Sequence, residues 1–349
     1  MWIESFCEFP FNRVRVTSEG NVSMCCFQRP DPLEPEADAY LGNVLEQTFD
    51  EIWFSDLCED IRRDIREGRL HKKCQCPGCP HMSLKQPYTT ENIVYNEYPN
   101  FLEIDLPNTH CNVGGKSPCK NSPACVMCER SSPNFRPETD RLFEVLDRIK
   151  HIMHNLYQIH IQGIAEPFFP THDGHLLFDV MNSLGYEDYK NDVAISVTTN
   201  ATIFNQSIRK EYLKRAPNSI TNFSIDAASP ETFKGIRILD CFDRVLENMY
   251  AFDKERVHDK QFLRVHNNIN IMNVHEVVAM VGIAHKARAE YVEFNPTNGF
   301  NHRILVNESN CGKFKKAQED IIAECERLGQ PYKMMRSLDL GLADHLALL

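Results

Sequence analysis

The amino-acid sequence predicts an α/β fold in which a parallel sheet is preceded by a small cysteine-rich segment. From about residue 100 onward, six strand-like runs alternate with helical patterns and are joined by short connections. Seven of the fourteen cysteines lie before residue 80, around a hairpin pattern and a helical pattern. The strand–helix repeats fit either a doubly wound sheet or a partial barrel with its helices outside.

The N-terminal hairpin is predicted from the run "RVRVTSEGNVSMCC", in which apolar residues alternate on both sides of a Glu-Gly turn. The hairpin would bring Cys7 to strand ends that neighbour Cys25 or Cys26. A helix is then predicted over "QTFDEIWFSDLCEDIRRDIREG", which opens with the capping-box pair Thr48 and Glu51.

A second group of N-terminal cysteines follows this helix in the run "CQCPGC". Cys76-Pro-Gly-Cys79 forms a tight knuckle that lets two thiolates point at one metal centre, and Cys74 precedes it. Two pairs of cysteines suit either a zinc site with four cysteines or an iron–sulfur cluster. Their spacing does not separate these two kinds of site.

Polar or tightly turning residues follow each of the six predicted strands. In parallel α/β folds the ligand site lies at the carboxyl ends of the strands, so these residues would line one mouth. Helices are predicted between the strands, among them 139–156, 241–252 and 274–287. The strands are predicted at 101–106, 157–163, 193–200, 219–226, 263–271 and 289–296.

The composition limits the class of protein. The chain has 349 residues and no apolar stretch of the roughly 18 to 20 residues that a membrane span needs. Its first residues lack the basic and apolar regions of a secretion signal, so we expect a cytoplasmic protein without a membrane partner. Clustered cysteines in a reducing compartment indicate metal binding or catalysis. The net charge of −11 disfavours a nucleic-acid partner.

Four cysteines follow the first predicted strand, in "FLEIDLPNTHCN" and in the run that ends "CVMCER". This pattern resembles the radical S-adenosylmethionine (SAM) superfamily, whose core motif is a strand, Cys-Asn and a Cys-x-x-x-Cys-x-x-Cys spacing. The resemblance implies that Cys111, Cys125 and Cys128 bind a [4Fe–4S] cluster, although thirteen residues separate the first two. Cys119 is an alternative first ligand. We prefer Cys111 because of its distance from the strand and because Asn112 follows it.

Three later segments also resemble the superfamily. "QGIAEPF" is similar to the Gly-Gly-Glu-Pro segment that binds the SAM amino group, and "TTNAT" to a Thr-Asn-Gly turn, with alanine at one glycine position of each. "FSIDAASPETFKGIR" is similar to the fourth-strand segment, which implies that Ser224 contacts the ribose and Arg237 the carboxylate. Met127 is at the position that packs on the adenine. The implied SAM-binding residues are Met127, Gly163, Glu166, Pro167, Thr199, Asn200, Ser224, Asp226 and Arg237.

The N-terminal cysteines resemble an auxiliary cluster domain of the SPASM or twitch type, in which a cysteine is followed by Gly-x₄-Cys. Such a domain usually follows the core, whereas here it precedes it. The implied ligands of a second [4Fe–4S] cluster are Cys7, Cys25, Cys76 and Cys79, with Cys26 and Cys74 as alternatives. The implied organisation is an auxiliary domain at 1–90, a partial (β/α)6 TIM-like barrel as the radical SAM core at 98–300, and a helical extension at 301–349.

The resemblance implies a radical SAM oxidoreductase. Three thiolates leave one iron of the cluster open for SAM, whose cleavage yields a 5′-deoxyadenosyl radical that takes hydrogen from an unactivated C–H bond. The auxiliary cluster would accept the electron left on the substrate. An external one-electron donor such as flavodoxin or ferredoxin is implied. No leader-binding domain fits before Cys7, which favours a small polar substrate such as a sugar, cyclitol or nucleoside over a peptide.

Two alternatives remain open at this point. The first is a radical SAM maturase that modifies a peptide. The second, from another class, is a zinc-stabilised binding protein without catalysis. Acid–base candidates near the predicted mouth are Asp226, Glu293, His160 and His172.

Overall fold

The structure is a computed structural model in which the chain forms two compact units. The first unit comprises residues 1–107, 138–163 and 178–194, and the second comprises 108–137, 164–177 and 195–349. The domain boundaries expected from the sequence remain predictions. The described residues are 2–3, 7–25, 40–69, 71, 73, 88–89, 97–113, 124–131, 135–297, 304–305, 307 and 309–334.

The first unit is organised by a five-stranded sheet. Its strands are β2 (Arg13–Val16), β3 (Asn21–Ser23), β4 (Gly42–Asn43), β6 (Phe101–Asp105) and β7 (Gln158–Gln162), while β1 (Trp2–Ile3) and β5 (Tyr88–Thr89) form a separate antiparallel pair. The strand order is β4-β3-β2-β6-β7, in which β2, β6 and β7 run parallel and the β2-β3-β4 part is antiparallel. The α-helices that begin before β8 are α1 (Phe9–Asn12), α2 (Phe49–Trp53), α3 (Asp56–Arg66), α4 (Leu142–Ile149) and α5 (Leu176–Ser183).

The predicted N-terminal hairpin is formed by β2 and β3, and the helix after it is confirmed with one difference. Thr48 caps α2 through a capping box, because its hydroxyl accepts from the Glu51 backbone N–H at 3.2 Å and the Glu51 carboxylate accepts from the Thr48 N–H at 2.8 Å. The sequence predicted one helix, but Ser55 caps a second one, accepting from the Cys58 N–H at 3.3 Å. The chain therefore bends between α2 and α3.

The second unit contains a sheet whose described strands are all parallel. They are β8 (Ala194–Thr199), β9 (Ser219–Ser224), β10 (Gln261–Ile269), β11 (Tyr291–Pro296) and β12 (Tyr332–Met334), in that spatial order. The connecting helices are α6 (Gln206–Arg215), α7 (Pro230–Arg237), α8 (Phe242–Glu255), α9 (Val277–Lys286) and α10 (Cys311–Leu328). Phe168 and Phe204 stack in its core with ring centroids 4.5 Å apart, and both are fully buried.

The predicted α/β class is confirmed, and the described strands do not close into a barrel. All six predicted strands are present, with ends that differ by a few residues. The fourth strand ends at Ser224, two residues early, because Asp226 adopts a left-handed conformation with φ of 59°. Among the described residues, no helix has the length and apolar character needed to span a membrane.

Gly20 provides a test of the hairpin. Its φ is +86°, and an added Cβ would lie 2.6 Å from Asn43 Oδ1 and 2.8 Å from Leu45 Cγ. We expect Gly20→Ala to lower the free energy of unfolding by about 2 kcal/mol or more, because backbone strain and a steric clash add together. Chemical denaturation measures the loss.

Gly329→Ala is the matched control for this measurement. Gly329 also has a positive φ, +66°, but no described atom lies within 4 Å of its added Cβ. We expect a loss of only about 1 kcal/mol from strain alone. Equal losses at the two positions would show that the hairpin absorbs the clash.

Candidate functional site

Most of the predicted cofactor-binding residues lie in the second unit, where its strands end. Thr199 is the last residue of β8, and Asn200 follows it. Ser224 is the last residue of β9, and Asp226 lies in the turn after it. Gly163 follows β7 and belongs to the first unit.

Cys125 is buried against Arg237. Arg237 Nη1 lies 4.0 Å from Cys125 Sγ, and the backbone N–H of Val126 donates to the carbonyl of Ile236 at 3.0 Å. The Cys128 N–H donates to the Cys125 carbonyl at 2.9 Å, which closes a tight turn. The last two predicted cluster ligands therefore sit on one short loop that is fixed to the end of α7.

Cys111 lies beside the turn after β8. Asn200 Nδ2 is 4.0 Å from Cys111 Sγ and 3.0 Å from Asn112 Oδ1. Asn112 Nδ2 in turn donates to Thr202 Oγ1 at 2.7 Å. The sequence used Asn112 only to recognise the Cys-Asn motif. In the structure, its side chain links the segment that carries Cys111 to the turn at Asn200 and Thr202 through hydrogen bonds.

All three thiols are largely buried, and this burial raises their pKa values. Burial raises the pKa of Cys111 to about 12 and also raises the pKa of Cys125 and Cys128. Arg237 opposes this rise at Cys125. Iron binding would supply the positive charge that a buried thiolate requires, and thiolates are the ligands of iron–sulfur clusters.

The described segments contain no ready-made site for a single metal ion. No three His, Cys, Asp or Glu side chains of the described segments are close enough to hold one. The assignment of Cys111, Cys125 and Cys128 as the ligands of an iron–sulfur cluster remains a prediction.

Glu166 is completely buried and organises the turn after β8. Its Oε1 accepts from Thr199 Oγ1 at 2.7 Å and from the Phe168 N–H at 3.3 Å, while Oε2 accepts from the Asn200 N–H at 2.8 Å. Burial raises the pKa of Glu166 to about 7, and these three hydrogen bonds oppose the rise. Both carboxylate oxygens thus accept hydrogen bonds from neighbouring residues of the chain. Glu166 therefore positions the turn after β8. Its implied contact with the SAM amino group remains a prediction.

The turn after β8 has the conformation that its resemblance to a Thr-Asn-Gly turn implies. Ala201, at the glycine position, is buried and has a φ of 57°. Its N–H donates to Thr199 Oγ1 at 3.0 Å, and its carbonyl accepts from Asn248 at 2.8 Å. These bonds hold an alanine in a region that glycine adopts without strain.

Ser224, Asp226 and Arg237 form a buried charged cluster. Arg237 Nη2 donates to Asp226 Oδ2, to Ser224 Oγ at 2.6 Å and to the Ser224 carbonyl at 3.1 Å. Asp226 Oδ1 accepts from the Asn268 N–H at 2.6 Å. Arg237 Nε is buried and has no partner among the described residues, so this donor remains for a ligand such as the carboxylate that the sequence assigned to it.

Three further residues, Gly163, Pro167 and Met127, were predicted to contact SAM. Gly163 has a φ of +113°, and a Cβ there would lie 3.0 Å from the Leu106 carbonyl, so glycine is required. The Pro167 carbonyl accepts from the Leu177 N–H at 2.7 Å. Met127 is half-buried in the loop between Cys125 and Cys128.

The described part of the N-terminal segment contains two of its predicted ligands. Cys7 and Cys25 are half-buried, and the Cys25 carbonyl accepts from Ser23 Oγ at 3.2 Å. The other predicted or alternative ligands lie outside the described residues, namely Cys26, Cys74, Cys76, Cys79 and the alternative core ligand Cys119.

The acid–base candidates differ in their surroundings. Asp226 is committed to Arg237 and to the backbone of β10. The side chain of His172 is 98% exposed beside Asp173, so it is open to bulk water. Glu293 accepts from Asn295 at 3.4 Å in the second unit, and His160 is on β7 in the first.

Sequence reasoning missed residues that follow β10. Asn273 Nδ2 donates to the Asp226 carbonyl at 2.9 Å. Glu276 accepts from the Ala228 N–H at 2.6 Å, from Thr232 Oγ1 at 2.7 Å and from Ser229 Oγ. The sequence showed polar residues after the fifth strand. It did not show that Glu276 bonds the start of α7, because the two segments are far apart in sequence.

The raised pKa of Glu166 predicts a pH dependence of stability. The folded pKa of about 7 lies above the ordinary value, so the protonated form stabilises the fold below the unfolded pKa and this contribution is lost as pH rises through 7. Between pH 6 and pH 8 we expect wild type to lose about 1 kcal/mol relative to Glu166→Gln, which does not titrate. Denaturant unfolding of both proteins at several pH values measures the difference. A difference that does not change with pH would contradict the raised pKa.

Comparisons with known proteins identify the N-terminal segment. Residues 7–80 match the family model SPASM, an iron–sulfur cluster-binding domain. A comparison with curated proteins gives no match. The SPASM match supports the predicted auxiliary iron–sulfur cofactor.

Solved structures identify the fold. Streptococcus suis SuiB bound to S-adenosylmethionine is 14% identical with a TM-score of 0.50, covering 68% of this chain and 50% of its own. SuiB bound to the precursor peptide SuiA is 12% identical with a TM-score of 0.50, covering 96% and 72%. Native anSMEcpe with bound AdoMet is 15% identical with a TM-score of 0.50, covering 68% and 64%. This chain therefore spans about half the length of the first of these proteins. At sequence identities this low, the matches show a similar fold and nothing further.

These matches agree with the fold that the sequence resemblance implied. The α/β class is confirmed, residues 7–80 match the iron–sulfur cluster-binding domain SPASM, and the fold of the chain is similar to those of SuiB and anSMEcpe.

Proposed function

We propose that this protein is a radical SAM enzyme that oxidises a peptide substrate. The observation that carries the proposal is the Cys125–Arg237–Asp226–Ser224 cluster. It joins a predicted cluster ligand to the predicted SAM-binding end of β9 through one buried guanidinium. A protein with purely structural cysteines has no need for this connection.

The thiols of Cys111, Cys125 and Cys128 would hold the core [4Fe–4S] cluster. When bound, the cluster and SAM together supply a 5′-deoxyadenosyl radical that abstracts a hydrogen atom from a C–H bond. Arg237 Nε, buried and without a partner among the described residues, would bind the SAM carboxylate.

The chain's own residues position these groups. Glu166 fixes the Thr199–Asn200 turn through three hydrogen bonds, and that turn contacts Cys111 and Asn112. Because these partners are buried, the turn is held rigidly and water has little access to it. The arrangement is suited to a reaction that water or oxygen would quench.

The substrate class that has most support is a peptide. SuiB with its bound precursor peptide covers 96% of this chain, and its TM-score is 0.50. The sequence favoured a sugar, cyclitol or nucleoside, with peptide modification as the alternative. Only the peptide has support of this kind, so the proposal adopts it.

The SPASM-matching segment would complete an oxidative turnover. Its cluster would take the electron that remains on the substrate after hydrogen abstraction, and an external donor such as flavodoxin or ferredoxin would supply the electron for SAM cleavage. Cys7 and Cys25 are the described candidates for ligands, and Cys76 and Cys79 complete the set that the sequence implies.

The core ligands are tested by cysteine replacement in anaerobically reconstituted protein with SAM and dithionite. We expect Cys125→Ala and Cys128→Ala to abolish 5′-deoxyadenosine formation, because each removes one of three iron ligands. Cys119→Ala should retain it. Chromatography of the nucleoside product measures the outcome. Loss in Cys119→Ala together with activity in Cys111→Ala would assign the first ligand to Cys119.

The auxiliary cluster is tested by metal content. Wild type should hold about eight irons per chain, and the Cys76→Ala/Cys79→Ala double variant about four, because each [4Fe–4S] cluster contributes four. The variant should still cleave SAM but fail to oxidise substrate. Circular dichroism checks that the segment remains folded, since metal binding and folding are coupled. A colourless protein that contains zinc would overturn the proposal in favour of a zinc-stabilised binding protein.

A further inference from the structure

The sheet of the second unit has one apolar face and one polar face. Val265, Val292 and Phe294 are buried on the apolar face. The residues that alternate with them are polar and partly exposed on the opposite face, namely Arg264, His266, Glu293 and Asn295. Parallel sheets are usually covered on both faces, so a polar and partly exposed face on this sheet is a place where a ligand can bind.

This polar face is continuous with the proposed SAM site. In the parallel register, Ser224 pairs with His266, His266 with Glu293, and Glu293 with Lys333. Paired residues of parallel strands project from the same face. A substrate on this face would therefore lie next to Ser224, the residue assigned to the SAM ribose.

Three polar atoms of this face are shielded from water and have no hydrogen-bond partner among the described residues. They are Arg264 Nε, His266 Nδ1 and Asn295 Oδ1. Buried polar groups are nearly always hydrogen-bonded, so three neighbouring exceptions require an explanation. The side chains that carry these atoms are themselves partly exposed on this face.

The neighbouring contacts determine which of these atoms donate hydrogen bonds and which accept them. Asn295 Nδ2 lies 2.6 Å from His266 Nε2 and 3.4 Å from Glu293 Oε1. A carboxylate can only accept, which orients the amide with its nitrogen toward Glu293. His266 Nε2 then accepts from Asn295, so Nδ1 carries the proton. The face therefore offers two N–H donors, at Arg264 and His266, and one carbonyl acceptor, at Asn295.

We propose that this face binds the main chain of the peptide substrate. A peptide group presents one carbonyl acceptor and one N–H donor, which match Arg264 or His266 on one side and Asn295 on the other. The ring of Tyr291 lies on the same face and contacts two cations, with Arg264 Cζ 4.7 Å and Lys333 Nζ 4.2 Å from its centroid. Asn295 and His266 are thus residues that contact the peptide main chain. This inference rests on the proposed peptide function and assigns its substrate contacts.

The test is photo-cross-linking of the reconstituted holoprotein with SAM. Tyr291 is replaced by p-benzoylphenylalanine, and the probe is a pool of random-sequence peptides with blocked ends. The matched control carries the same replacement at Tyr332, which pairs with Val292 and so belongs to the other face. We expect peptide cross-links at position 291 above the level at 332.

Main-chain recognition is separated from other contacts with a second pool whose backbone amides are N-methylated. In the position-291 protein, Asn295→Leu should lower the yield with the ordinary pool about tenfold, the effect of one lost hydrogen bond of roughly 1.4 kcal/mol. With the methylated pool it should have no further effect, because the N–H is already absent. Circular dichroism confirms that the variant is folded.

Each other outcome overturns part of the argument. Equal yields at positions 291 and 332, or equal yields from the two pools, would overturn the inference. Competition by a soluble oligosaccharide in place of peptide would assign the face to a polyol and overturn it as well. Failure of wild type to form 5′-deoxyadenosine while cross-linking persists would overturn the proposed function and leave the peptide site standing.

Discussion

The arrangement of the candidate site depends on the buried ion pair between Arg237 and Asp226. One guanidinium contacts the Cys125 thiol, the Ser224 hydroxyl and the Asp226 carboxylate, and Asp226 also accepts from the backbone of β10. Two strand ends and the cysteine loop therefore meet at one pair of charges. Removing one member of a buried pair leaves an uncompensated charge and lowers the free energy of unfolding by about 3–5 kcal/mol. A substitution in this pair would therefore disturb both the site and the local fold.

A second constraint is the carboxylate of Glu166. It is buried, and its hydrogen-bond donors in the described part of the chain are two backbone N–H groups and one hydroxyl rather than a cation. The cost of this burial appears as the raised pKa. Its gain is a fixed turn, in which Ala201 keeps a strained left-handed conformation and Asn200 contacts Cys111. Glu166 thus acts on the turn that contacts Cys111, and Arg237 contacts Cys125 directly.

Much of the fold follows from local patterns. The six strands and the α2 cap were predicted because alternation and capping are local properties of the sequence. The break between α2 and α3 was missed because Ser55 fits a helix interior pattern and acts as a cap only in this conformation. Likewise, the early end of β9 reflects the turn at Asp226, which the neighbouring Asn267 and Asn273 side chains hold from another part of the chain.

The sequence by itself determined which residues are candidates for the site: its resemblance to the radical SAM superfamily pointed to the thiols, the carboxylate and the arginine, because such motifs depend on residue type and spacing. Only the tertiary structure decided how they act. It showed that Glu166 accepts hydrogen bonds from the turn after β8. It also showed that Arg237 Nε is buried without a partner in the described part of the chain. It also paired His266 with Asn295 on the polar face beside Ser224. Hydrogen-bond partners far apart in sequence are selected by packing, and no local pattern encodes them.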